Sequence, residues 1–238
     1  MEHIKKNDQA KKAKKLNILI ACEESQAELM AFRELGCNAY SCDILPCRKG
    51  GLPQYHIQAD VSPYLQGQTS FVTMDGKKHH VSCWHMIIAH PPCTYLCKCG
   101  SMHLYKDRDR YIYFEGKYIL VNRDRYDKMR EAHDFFFKCL NAKAKYVAVE
   151  NPIPMRLADL PKATCFACPS WFGEKYTKKT LYWLKNLPPL MAEIVHPHPK
   201  EFVRASRGKY RSRTFPAMAK ALAKQWLDYI LNDNTVNQ

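Results

Sequence analysis

Cys93 and Glu150 are the residues of this chain whose type and setting point most directly to chemistry. The apolar-biased run Trp84-His85-Met86-Ile87-Ile88-Ala89 leads into His90-Pro91-Pro92-Cys93, and Tyr146-Val147-Ala148-Val149 leads into Glu150-Asn151-Pro152. A thiol and a carboxylate therefore stand where two buried strands end, and open parallel α/β sheets bind their ligands in the crevice beyond the carboxyl ends of the strands. Each proline fixes φ and restricts the residue before it, so Cys93 is held on a stiff turn. A free thiol titrates at about 8.5, and its thiolate is a strong nucleophile. Pro-Pro-Cys alone reads more readily as an inert buried thiol. The paired Glu150-Asn151-Pro152 changes that balance, because a desolvated carboxyl can exchange a proton with a substrate heteroatom while the thiolate attacks carbon.

The elements that must position this pair are legible around it. Residues 16–21 read as a buried strand, and Ser25 with Glu28 as a capping box starting a helix through Leu29, Phe32 and Leu35 that stops at Gly36. Residues 39–42 form the next strand, ending at Asp43, a βαβ opening that predicts a right-handed parallel crossover. A loop over 46–53 precedes a third short strand, 56–59, ending at Asp60. Asp75-Gly76 between two β-rich runs predicts an inserted β-hairpin within 69–83. Residues 94–125 carry Lys98, Lys106, Arg108, Arg110, Arg123 and Arg125 among five tyrosines without a clean period, which predicts a long, mobile, basic-aromatic loop over the site. Met129, His133, Phe136 and Leu140 mark a core-facing helix over 126–142. After Pro154 the chain breaks into short Pro-punctuated segments, with 180–184 the clearest strand. Residues 217–231 form a final amphipathic helix with Pro216 at its start. The fold class is α/β, a doubly wound sheet with strands and loops added near its end.

The chain of 238 residues is 46% hydrophobic, ample for a buried core, and reads as a basic tail over 1–15 followed by a single domain over 16–238. No run of about eighteen apolar residues and no secretory pattern is present, so no membrane is expected and the cytoplasm is. Eleven cysteines at irregular spacing fit reduced thiols, metal ligands or a nucleophile better than a disulfide framework. The formal charge of +14 is the footprint of a polyanion binder. It concentrates in residues 1–15, with six lysines against Glu2 and Asp8, and in 196–213, with six Lys or Arg against Glu201. The first cluster reads as a disordered solubilising arm. The second, interleaved with Phe202 and Tyr210, suits nucleic-acid contact as well as solvent.

With these motifs in order, the chain resembles the DNA cytosine C5-methyltransferases, in particular their short phage-type branch. The matching pieces are Ile18-Leu19-Ile20-Ala21-Cys22-Glu23-Glu24-Ser25, Cys42-Asp43, the Asp60 strand end, Ala89-His90-Pro91-Pro92-Cys93-Thr94-Tyr95-Leu96 and Val149-Glu150-Asn151-Pro152. Trp171-Phe172-Gly173, the segment 178–188 and Arg211-Ser212-Arg213-Thr214-Phe215-Pro216 complete the series. The resemblance implies a Rossmann-like fold that binds S-adenosylmethionine and receives a cytosine flipped out of DNA in a bacterial cell, as in restriction-modification. It implies that Cys93 attacks C6, that Glu150 protonates or hydrogen-bonds N3, and that Arg211 or Arg213 supports the ring. Ala21, Cys22, Glu23, Glu24, Ser25 and Pro91 would border the cofactor, Asp43 its ribose and Asp60 its adenine; Pro92 and Asn151 would border the base.

The chain departs from the family at three points. Its first turn, Cys22-Glu23-Glu24-Ser25, lacks glycine; there Ser25 at a helix N-terminus offers amides to the cofactor carboxylate, and Glu23 or Glu24 accepts from its ammonium. The sequence after Cys93 is Thr-Tyr-Leu, and Asn151 is followed by proline. The region 155–213 is short for a target-recognition domain, so 94–125 and 196–213 stand as its substitutes through phosphate contact and stacking. Cys97, Cys99, Cys165 and Cys168 form two close pairs that fit either a structural zinc or unpaired reduced thiols. The expected activity is S-adenosylmethionine-dependent methylation of cytosine in DNA. Its rivals are a silent family member that binds DNA or cofactor, and the same fold with a modified donor or acceptor.

Overall fold

The computed structural model describes residues 11–194 and 214–233. Its centre is a seven-stranded sheet in the order β3-β2-β1-β6-β9-β11-β10. Strands β1 (Asn17–Ala21), β2 (Asn38–Asp43), β3 (His56–Gln58), β6 (Met86–Ala89) and β9 (Tyr146–Asn151) run parallel. β11 (Thr180–Lys185) runs antiparallel beside β9, and β10 (Cys165–Ala167) pairs antiparallel with β11 at the edge.

The strands of the sheet centre are apolar without alternation because both faces are covered. On one face Ile18, Ile20, Met86, Ile88, Ala148 and Tyr182 lie under α1 (Ala27–Glu34) and α4 (Pro216–Asp233). On the other, Leu19, Ala21, Ile87, Ala89, Val147 and Val149 lie against α3 (Arg123–Leu140), through Met129, Phe136 and Cys139. Pro216 starts α4 at a position where its missing N–H is not needed. Trp226, fully buried on α4, donates Nε1–H to the Pro188 carbonyl at 3.1 Å. Asn122 caps α3, its side chain accepting from the Arg125 amide. A fourth, short helix, α2 (Ser62–Leu65), follows β3. The expected hairpin lies at β4 (Ser70–Val72) and β5 (Lys78–His80), a separate two-stranded sheet turned at Gly76.

Three expectations change. Residues 94–125 are not a loop. They contain a 3-10 segment, Lys98–Tyr105, and a second hairpin, β7 (Arg110–Phe114) with β8 (Lys117–Val121), turned at Glu115-Gly116. Buried Leu104, Ile112 and Val121 anchor it, while the basic and aromatic residues that hid the alternation face outward. Next, the region 155–213 supplies β10 and β11 to the main sheet, so much of it is scaffold. Lastly, within the span 1–15 expected as a tail, residues 11–13 are helical, and Ala13, 2% exposed, joins the core with Leu16; residues 1–10 lie outside the described residues. Among the described residues, no helix is long and apolar enough to cross a membrane.

Candidate active site

Parallel pairing sets Ala89 of β6 opposite Val149 of β9, so His90 and Glu150 emerge side by side at the carboxyl edge of the sheet. Cys93 follows on a turn in which its carbonyl accepts from the amides of Leu96 at 3.0 Å and Cys97 at 2.9 Å. That turn is zipped to the segment beyond Glu150 by Lys98 N–H to Ile153 O, 2.8 Å, and Met155 N–H to Leu96 O, 2.7 Å. From α3, Arg125 donates to the Thr94 carbonyl at 2.6 Å and lies 4.2 Å over the Tyr95 ring. Gly100 leaves room for this clamp, since a Cβ there would sit 2.8 Å from Arg125 Nη2 and 2.9 Å from Thr94 O. The thiol and carboxylate are thus fixed relative to each other from both sides.

Behind Glu150 lies an arrangement that the sequence reading missed. The His90 ring, 14% exposed, is within 3.4 Å of Glu150 Oε2 through Nδ1 and 3.1 Å of Glu28 Oε2 through Nε2. Glu28, 0% exposed, accepts from Thr214 Oγ1 at 3.1 Å with its other oxygen. The capping box is therefore not formed: Glu28 turns inward to His90, and Glu23 takes the helix amides instead, accepting from Glu28 N at 2.8 Å and Leu29 N at 3.3 Å. The available signal was His90 itself, an ionisable ring at a strand end immediately before the rigid Pro-Pro turn. Burial opposes the imidazolium, yet the Glu28 charge and the hydrogen bonds to both carboxylates raise the His90 pKa well above its ordinary value. Burial would likewise raise Glu150, but the His90 hydrogen bond and the charges of Lys178 and His90 leave it lowered.

Glu150 Oε1 is buried without a hydrogen-bond partner, as is the hydroxyl of Tyr182, its cross-strand neighbour on β11. Both residues line a narrow cleft with Lys178, Thr214 and Phe215. The Cys93 thiol is held protonated first by its hydrogen bond to Cys97, then by burial and the Glu150 charge, with Lys178 opposing. Cys97 in turn accepts from Cys93 and sits 2.8 Å, Sγ to Sγ, from Cys99. The proton of Cys93 thus has a neighbouring acceptor.

At the ends of β1 to β3 the structure sorts the other expected residues. Ala21 is buried in β1, and Cys22 takes φ 61, the left-handed backbone that glycine usually supplies. Burial, followed by the neighbouring Cys139 and Asp43 charges, raises the Cys22 pKa well above the usual thiol value. Glu23 is 4% exposed and used as a cap, with Ser25 Oγ at 3.5 Å, while Glu24 pairs with Arg48. Both carboxylates that were expected to meet a cofactor ammonium thus have partners within the protein. Glu23 also occupies the amides of Glu28 and Leu29 at the helix start beyond Ser25. Asp43 and Asp60 each use Oδ1 for their own turn, Asp43 for Leu45 N at 2.8 Å and Asp60 for Ser62 N at 2.9 Å, which leaves Oδ2 of each for a ligand. Burial raises the Asp43 pKa. Ile44 and Leu45, 72% and 56% exposed, offer an apolar surface beside it.

Pro91 is buried and Pro92 exposed, and Asn151 is buried with Oδ1 unpartnered. Arg211, Arg213 and the 196–213 cluster lie outside the described residues. The zinc set is not assembled: among the described residues no three His, Cys, Asp or Glu are arranged to hold a metal. Cys97 and Cys99 lie by Cys93, whereas Cys165 and Cys168 flank the sheet edge at β10. The sequence matches no protein-family model and no curated protein.

Proposed function

We propose that the protein is a DNA cytosine C5-methyltransferase. The observation that carries this reading is the juxtaposition of Cys93 with Glu150, a residue with an unpartnered buried Oε1 that lines a cleft at the carboxyl ends of adjacent parallel strands. Two further features support it. The ordered motifs resemble that family, and the sheet follows the doubly wound order 3-2-1-4-5 with an antiparallel strand next to the fifth, which is compatible with a Rossmann-like fold.

In this reading Cys93, after passing its proton to Cys97, adds to C6 of a flipped cytosine while Glu150 Oε1 engages N3. Cytosine is a poor electrophile, so the addition needs both the soft nucleophile and the proton at N3. S-Adenosylmethionine supplies the methyl group for C5. Oδ2 of Asp43 suits its ribose hydroxyls, Oδ2 of Asp60 its adenine amino group, and Ile44 and Leu45 the flat face of its ring. The main chain of the Cys22–Ser25 turn borders its methionine end. DNA is drawn in by the basic surface. The β7–β8 hairpin adds Tyr111, Tyr113 and Tyr118, 69%, 67% and 76% exposed, as stacking platforms.

DNA carrying 5-fluorocytosine tests the reading, because fluorine at C5 cannot leave as a proton. A covalent, cofactor-dependent complex is expected with the native protein and none with Cys93→Ala. Absence of a complex on any DNA, with cofactor bound, would favour a silent binder, a reading to which the internal commitment of Glu23 and Glu24 lends weight. Transfer of tritiated methyl groups followed by nucleoside analysis identifies the modified base.

A further inference from the structure

We propose that Glu28, His90 and Glu150 form a proton store behind the site, from which His90 passes a proton through Glu150 to a ring nitrogen of the bound substrate. Cytosine as the acceptor rests on the function proposed above; the store itself rests on the geometry alone.

A neutral imidazole carries one N–H and one lone pair. Both His90 nitrogens face carboxylate oxygens, at 3.1 Å and 3.4 Å. A lone pair directed at an ionised carboxylate at that range is repulsive, and burial strengthens the repulsion. The three groups must therefore share two protons, either as an imidazolium between two carboxylates or as a neutral ring beside one protonated carboxyl. One of these protons can be transferred. Its exit is fixed by the remaining hydrogen bonds: Thr214 holds Glu28 Oε1, and both Oε2 atoms face His90. Glu150 Oε1 alone is left without a partner among the described residues, and Glu150 lines the cleft.

The surrounding charges are Glu23 on the turn before α1, Glu28 on α1, Glu150 on β9 and Lys178 before β11, with Tyr182 on β11. Glu150 is held ionised at rest, so by itself it would meet the N3 lone pair of cytosine with a negative charge. The store removes that conflict. The His90 Nδ1 proton moves first to Glu150 Oε2, a half-turn of the carboxyl group presents that proton to the substrate, and N3 takes it as the Cys93 sulfur bonds to C6, which returns Glu150 to its ionised form. His90 is left neutral, donating Nε2–H to Glu28. When the thiolate leaves, the N3 proton returns by the same route.

Histidine-selective ¹⁵N spectra of the full chain test the store without any activity. The resonances lost in His90→Gln are expected to show both ring nitrogens protonated at pH 8, and Glu28→Gln is expected to move that titration to lower pH. A neutral single tautomer at pH 7, with the Glu28 and Glu150 carboxyls both ionised in ¹³C spectra, would overturn the proposal. The relay is tested by the rate of complex formation with 5-fluorocytosine DNA. Glu28→Gln should shift the alkaline limb by at least about one pH unit toward acid; an unmoved limb in both Glu28→Gln and His90→Gln refutes the relay. If the native protein forms no complex with any cytosine-containing DNA while His90 remains an imidazolium, the methyltransferase reading falls and the proton store stands.

Discussion

Replacing Glu23 with glutamine isolates a pH dependence that the fold itself creates. Glu23 is fully buried, and its pKa rises from 4.5 to about 7, first through burial and then through the Glu28 charge, with His90 and two amides opposing. In the unfolded chain the same carboxyl ionises at the ordinary value. A raised folded pKa means that its stabilising contribution is complete below 4.5 and is lost as pH rises through about 7. At about 1.4 kcal/mol per pKa unit, the loss is ~3 kcal/mol, a substantial part of the 5–15 kcal/mol roughly typical of a domain. Glutamine keeps one acceptor for the α1 amides and cannot ionise. Urea unfolding of both proteins between pH 4.5 and 7 should therefore give a stability difference, native minus Glu23→Gln, that falls by ~3 kcal/mol across the window. Groups that titrate alike in both proteins cancel. A difference that stays flat within about 0.5 kcal/mol would refute the assignment of that charge to a buried cap.

Glu150→Gln should lower single-turnover methyl transfer by about 10²–10⁴-fold, the usual worth of a general acid, while calorimetry shows cofactor affinity unchanged. Alanine at Tyr111, Tyr113 and Tyr118 together should weaken DNA binding by about 1–3 kcal/mol for each base stacked, read by fluorescence anisotropy. The thermal midpoint should hold, because all three rings are exposed. Trp226→Ala should lower unfolding free energy by about 3–5 kcal/mol in denaturant titration, because a fully buried ring and its bond to Pro188 are both lost.

Much of the scaffold was legible because apolar runs such as Ile18-Leu19-Ile20 have no other use than a doubly covered sheet. The pairing of the Cys93 and Glu150 strand ends followed from the same logic. Illegible were contacts set by tertiary direction rather than spacing. Ser25 and Glu28 have the spacing of a capping box, but Glu23 competes for the same amides from five residues upstream, and that freed Glu28 for His90. Likewise the β7–β8 hairpin was hidden because its outer face is tyrosine, neither clearly polar nor apolar, so period-two alternation was lost. Only the burial of Ile112 against the exposure of Tyr111 and Tyr113 restores it.

The hairpin carries more weight once the main sheet is counted. Residues 165–167 and 180–185, assigned by sequence to a reduced recognition region, complete the sheet as β10 and β11, and β11 supplies Tyr182 opposite Glu150. In the proposed function, target choice must then come from elements outside that scaffold. β7–β8 is joined to the nucleophile by a short path. The Asn122 amide after β8 donates to Leu104 O at 2.8 Å, and Arg125 one turn later clamps Thr94, the residue after Cys93. A strand held on Tyr111, Tyr113 and Tyr118 would therefore be registered to Cys93 through α3 rather than through a separate domain. If the proposed function holds, substitutions in the hairpin should change which cytosine is presented, and substitutions at Arg125 should change how well the presented cytosine is attacked, both read by methylation of DNA of known sequence.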